Sequence, residues 1–152
     1  MLTIYVDADA CPVKDEIAKV ALRYGLPVKV VANNSMRVPS GPLVELVVKP
    51  GFGAVDDWIA EQVGPGDIVI TSDIPLAARS LERGALALDD RGQAFSESDI
   101  GQAMAMRDLM RGLRADGSVS GGPPPMTPKD RSRFLGKLDQ AIVAVQKKFR
   151  AS

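Results

Sequence analysis

Short apolar runs alternate with amphipathic stretches along the first ninety residues. Leu2-Thr3-Ile4-Tyr5-Val6 is β-rich and ends in Asp7, so it reads as a buried strand. Pro12 then stands where a helix would open. Val13, Ile17, Val20, Ala21 and Tyr24 recur at helical spacing, and Gly25 supplies the stop. Pro27 to Ala32 is a second strand, and a β-α-β unit of this kind favours a parallel, right-handed crossover. The segment from Asn33 to Pro42 is polar, carries Pro39, Gly41 and Pro42, and reads as a loop before a third strand at Leu43 to Val48. Pro50-Gly51-Phe52-Gly53 is a turn. A helix follows from about Ala54 to Val63, with Val55, Ile59 and Val63 on one face. Asp67 to Thr71 is a fourth strand. Pro75 opens a helix that Gly84 closes, and Ala85 to Leu88 is a fifth strand. Strands alternating with helices predict an α/β domain with a mostly parallel sheet covered on both faces.

The rest of the chain is helical in pattern. Ser96, with Asp99 three residues on, caps a helix running to about Arg114. Asp116 to Pro125 is rich in Gly, Ser and Pro and reads as a loop. Thr127-Pro128 opens a last helix whose stripe of Phe134, Leu135, Leu138, Ile142 and Val145 should dock on the body. The expected organisation is an α/β domain over 1–115, with 116–152 forming a loop and a C-terminal helix packed on the same domain.

Composition narrows the chemistry. The 152 residues contain no histidine and one cysteine, Cys11. An imidazole base, a His-built zinc site and an internal disulfide are therefore excluded. No apolar run reaches the length of a membrane span, and Met1 to Asp7 lacks a basic region, so a cytoplasmic location without membrane partners is expected. The charge is uneven. Residues 1–106 hold nine Lys/Arg and fifteen Asp/Glu, whereas residues 107–152 hold ten and four. That asymmetry reads either as a solvated helical surface or as a phosphate-contacting arm beside an acidic ion site.

Ligands of open parallel sheets gather beyond the carboxyl ends of the strands. The first strand ends in Asp7-Ala8-Asp9, the fourth in Thr71-Ser72-Asp73 and the fifth in Asp89-Asp90. Asp56 and Asp57 open the helix after the third strand, and the helical wheel places Asp56 beside the apolar face. Asp7, Asp9, Asp56 and Asp73 are thus the candidate catalytic and metal-binding acids. Crowded carboxylates raise each other's pKa unless a cation offsets them, and hard oxygens suit Mg²⁺ or Mn²⁺. Such an ion serves phosphodiester displacement without a histidine. Lys14, Thr71, Ser72, Arg107 and Arg131 are the candidate substrate-binding residues, with Arg37 and Arg133 as further phosphate contacts. Asp89 or Asp90 reads more simply as a turn residue, and Cys11 as a packed side chain. Trp58 and Phe134 are expected in the core.

Asp7-Ala8-Asp9-Ala10-Cys11-Pro12, Val31-Ala32-Asn33, Ile70-Thr71-Ser72-Asp73-Ile74-Pro75-Leu76-Ala77-Ala78, Met106-Arg107-Asp108, Gly121-Gly122-Pro123, Asp130-Arg131 and Phe134 closely resemble the YaiI/YqxD family of uncharacterised bacterial proteins. The match spans nearly the whole chain. The family looks like a relative of PIN and NYN domains, which are Mg²⁺/Mn²⁺-dependent nucleases with an acidic cluster at the strand ends. The resemblance implies a PIN-like open, mostly parallel five-stranded sheet with a helical C-terminal extension, and ribonuclease chemistry on RNA. Three positions depart from the family pattern. Gly53 stands where an acid is common, Asp90 where Pro is usual, and Met126 where an aromatic follows the Gly-Gly-Pro segment. Two alternatives stay open. One is a HAD-like phosphatase with Asp7 as nucleophile and Asp9 as general acid. The other is a non-catalytic nucleic-acid binder of the same fold.

Overall fold

The computed structural model describes residues 2–8, 11–102, 105–106 and 126–150. Five strands form one sheet: β1 (Ile4–Asp7), β2 (Val28–Ala32), β3 (Val44–Val48), β4 (Ile68–Ile70) and β5 (Leu86–Leu88). Their order is β3-β2-β1-β4-β5, and every pairing is parallel. Register is continuous across the sheet, with Ile4 opposite both Val28 and Ile68, and Val28 opposite Val44. The central strands are buried on both faces, which explains their unbroken runs of β-branched residues. The expectation of an open, mostly parallel five-stranded α/β sheet is met by one that is parallel throughout.

The helices, named in chain order, are α1 (Lys14–Tyr24), α2 (Ala54–Gln62), α3 (Ile74–Glu82), a helical stretch at 97–102 (α4) and the long α5 (Pro128–Arg150). Helix α1 ends at Gly25, whose φ of 67° puts it in the left-handed conformation that glycine adopts without a Cβ clash. The Ser96 cap is present, with the Asp99 N–H donating to Ser96 Oγ at 3.0 Å. At the start of α5, Thr127 and Asp130 form a reciprocal cap at 3.1 Å in each direction. The helix predicted from Ser96 to Arg114 and the loop at 116–125 fall largely outside the described residues.

The two sheet faces carry separate cores. Ile4, Val6, Val28, Val30, Ile68 and Ile70 meet α1 and the apolar stripe of α5. Tyr5, Val31 and Val69 meet α2 and α3 on the opposite face. Trp58 departs from expectation, because it is only half buried. Its ring stands edge-on to Tyr5 at 6.1 Å, with the Lys49 and Lys29 ammonium groups 5.5 and 5.8 Å from its centre. The β2–β3 connection contains no helix. Met36 and Val38 replace one by packing on the α1 face. This irregular crossover leaves an open hollow beside the start of α1.

Helix α5 is tied to α1 at both ends of their contact. Asp139 accepts from Arg23 and from the Tyr24 hydroxyl, each at 2.6 Å. Arg131 donates to the Pro12 carbonyl at 2.7 Å and to Glu16 at 3.1 Å. Alongside these ties Phe134, Leu138 and Ile142 are fully buried. The C-terminal helix is therefore part of the core, as the stripe required. Phe134→Ala is expected to destabilise the protein by roughly 3–5 kcal/mol through lost burial and a residual cavity. Chemical denaturation measures this, and a loss below about 1 kcal/mol would mean that α5 is a detachable arm.

Candidate functional site

The sheet order places β1 between β2 and β4, and the connections leave it on opposite faces. The carboxyl ends of β1 and β4 thus form the topological switch point, where neither crossover covers the rim. Asp7 is the last residue of β1. Thr71 follows β4 directly and is buried, while Ser72 beside it is exposed.

A chain of hydrogen bonds runs across this junction. The Thr71 hydroxyl donates to Asp7 Oδ2 at 2.8 Å and accepts the Asp73 backbone N–H at 2.9 Å. Asp73 Oδ1 in turn accepts the Leu76 N–H at 2.9 Å, making Asp73 the N-cap of α3, with Pro75 in the first turn. Thr71 and Ser72 do not cap α3; Asp73 does. The Thr-x-Asp-x-Pro spacing before an apolar run was the available signal for it.

Asp56 reaches the same rim from the opposite face. It lies in the first turn of α2, beside Val55 and Ile59, which are buried. Desolvation pushes its carboxyl up to about 6 from the ordinary 3.8, and the negative charges of Asp73 and then Asp7 push in the same direction. Asp57 points away and pairs with Arg79 at 2.9 Å, as the helical wheel required. Asp7, Asp56 and Asp73 are therefore brought together. Asp9 and Arg107 lie outside the described residues. Among the described residues, no group of three Asp, Glu or Cys side chains is near enough to enclose a metal ion.

The other candidates separate by what they touch. Asp89 is a turn residue whose Oδ1 accepts the Arg91 and Gln93 N–H groups, each at 2.9 Å. Asp90 is half buried, and burial followed by the neighbouring Asp89 charge raises its carboxyl. Cys11 is packed, and burial lifts its thiol to about 11, far from a reactive thiolate. Lys14 donates to the Cys11 carbonyl at 2.7 Å and lines a cavity of about 420 Å³. Arg131 serves the α1–α5 contact. Arg37 lines the same cavity as Lys14, a placement that became legible only once the β2–β3 crossover was folded. Gly53 has a φ of 73° at the N-cap of α2, so it serves a left-handed turn.

A parallel α/β sheet with carboxylates at its switch point defines a Rossmann-like domain with an acidic rim. The chain belongs to the uncharacterised YaiI/YqxD family (DUF188), whose model matches residues 5–144. It is 59% identical over 145 residues to the UPF0178 protein of Rhodopseudomonas palustris (strain BisB18), covering 95% of this chain and 94% of that one. It is 56% identical over 149 residues to the UPF0178 protein of Parvibaculum lavamentivorans, covering 97% and 98%. No solved structure matches it. Among the described residues, no helix is long and apolar enough to cross a membrane.

The raised Asp56 carboxyl carries a pH signature. Its folded pKa exceeds its unfolded one, so its favourable contribution is complete below about 3.8 and is lost as pH rises through about 6. Asp56→Asn is expected to raise the melting temperature at pH 7.5 by about 2 °C, because solvent on its open side screens much of the repulsion. It should have little effect at pH 4. Melting curves at the two pH values check this, and equal shifts at both would remove the electrostatic explanation.

Proposed function

We propose that this protein is a Mg²⁺- or Mn²⁺-dependent phosphodiesterase acting on single-stranded RNA. The observation that carries the reading is the convergence of Asp7, Asp56 and Asp73 at the switch point, close enough for two of them to raise the pKa of the third. The donor chemistry fits a hard cation. All three groups offer carboxylate oxygen, and Mg²⁺ typically takes one or two protein carboxylates while keeping several waters. Asp7 and Asp73, which Thr71 links, would hold the ion, with Asp56 as a neighbouring acid and Asp9 following two residues after Asp7. When bound, the ion neutralises developing charge and lowers the pKa of water.

The chain's own residues supply orientation. Thr71 restrains Asp7 by donating to one carboxylate oxygen, and the α3 cap holds Asp73 by one of its oxygens. Each restraint cuts the rotamer freedom that ligand binding would otherwise have to remove. Ser72, exposed beside them, is available to a phosphate oxygen. The absence of histidine leaves water activation to the carboxylates and the ion.

The test is cleavage of an unstructured RNA oligonucleotide with Mn²⁺. Asp7→Asn and Asp73→Asn should each lower the rate by about 100-fold, the loss of a few kcal/mol of charge stabilisation. Both variants should fold, since Asn still accepts from Thr71 and remains a good N-cap. Mn²⁺ should also raise the melting temperature of the wild type more than that of either variant. Cleavage that survives unchanged in Asp7→Asn, or RNA binding with no cleavage under any divalent ion, overturns the reading.

A further inference from the structure

The hollow beside the start of α1 is lined by Cys11, Pro12, Lys14 and Asp15 on one side, and by Arg37, Val38, Pro39 and Ser40 of the β2–β3 crossover on the other. Its volume of about 420 Å³ falls in the range of pockets that enclose small ligands. Two cations and one carboxylate leave its lining net positive, in a body where residues 1–106 are net negative. The Lys14 ammonium is steered by its 2.7 Å hydrogen bond to the Cys11 carbonyl, which uses one of its three donors. Arg37 forms no ion pair among the described residues. Pro12, Val38 and Pro39 add an apolar wall. The cavity lies at the N-terminal end of α1, on the same carboxyl edge of the parallel sheet where Asp7 ends β1.

We propose that this cavity seats one nucleotide, with its phosphate on Lys14 and Arg37 and its sugar and base against Pro12, Val38 and Pro39. A guanidinium and an ammonium lining one cavity from two segments can recognise a phosphate, and the apolar wall selects a nucleotide over a free inorganic ion. The proposal deepens the phosphodiesterase reading, because a strand anchored here runs onto the carboxylates at the end of β1. It requires no metal, so the two readings can fail separately.

The experiment is an NMR titration of the full chain with adenosine 5′-monophosphate in EDTA, with adenosine and inorganic phosphate as parallel probes. The nucleotide should shift the amides of the non-proline residues in 11–15 and 36–40, and should bind at least about 10-fold more tightly than either probe. Arg37→Ala, on an exposed loop position, should weaken nucleotide binding about 5- to 10-fold and lower its salt dependence by roughly one charge. Lys14→Arg should retain binding that Lys14→Ala loses. Equal affinity for adenosine and its monophosphate, shifts confined to other residues, or an unaltered Arg37→Ala overturns the proposal. Nucleotide binding without RNA cleavage would instead sink the phosphodiesterase reading and leave this site standing. Metal-dependent cleavage without nucleotide binding would do the reverse.

Discussion

The hydroxyl of Thr71 holds the acidic rim together. It is a buried group at the end of β4, donating to Asp7 on β1 and accepting from the backbone that begins α3. One oxygen atom thus joins two neighbouring strands and a helix at the point where the sheet's connections diverge. A buried hydroxyl without partners is costly, so its two hydrogen bonds lock the local geometry. The position of Asp73, and through it the direction of α3, follows from that lock.

The acidic rim illustrates how a fold can sustain unfavourable electrostatics. Asp56 is packed into the first turn of α2 beside the apolar face that anchors the helix, and cannot withdraw without unseating Val55 and Ile59. It therefore remains within the field of Asp73 and Asp7. Asp57, one residue on, escapes to solvent and pairs with Arg79. Adjacent residues of the same type meet opposite fates because a helix turns about 100° per residue, and only one of them can lie against the core.

On the other face, α5 closes the structure. Phe134, Leu138 and Ile142 fill the space over β1 and β4, while Asp139 and Arg131 pin the helix to α1. Gly92 records how close this approach is, since a Cβ there would lie 2.7 Å from the Lys137 Cβ. The irregular β2–β3 crossover completes that face with Met36 and Val38, and its lack of a helix creates the cavity beside Lys14. The packing that seals the core and the hollow beside Lys14 thus arise from neighbouring segments.

Much of this was legible along the chain. Runs such as Ile68-Val69-Ile70 announce strands buried on both faces, Gly25 announces a helix end, and the Phe134–Leu138–Ile142 spacing announces a docked helix. These are local signals, because periodicity and backbone preference are properties of neighbouring residues. Asp7 and Asp73 were visible as strand-end acids, and Asp56 as the inward one of a pair. Their convergence was not encoded locally, because it depends on β4 lying beside β1 although 64 residues separate Asp7 from Thr71. Nor could spacing reveal that Arg131 braces two helices, that Trp58 stays half exposed between two lysines, or that Arg37 lines the same hollow as Lys14. The sequence by itself determined the elements and the supply of hard oxygen donors. Only the tertiary structure decided which of them meet, because strand order and crossover path bring distant residues together, and no short window of sequence specifies either.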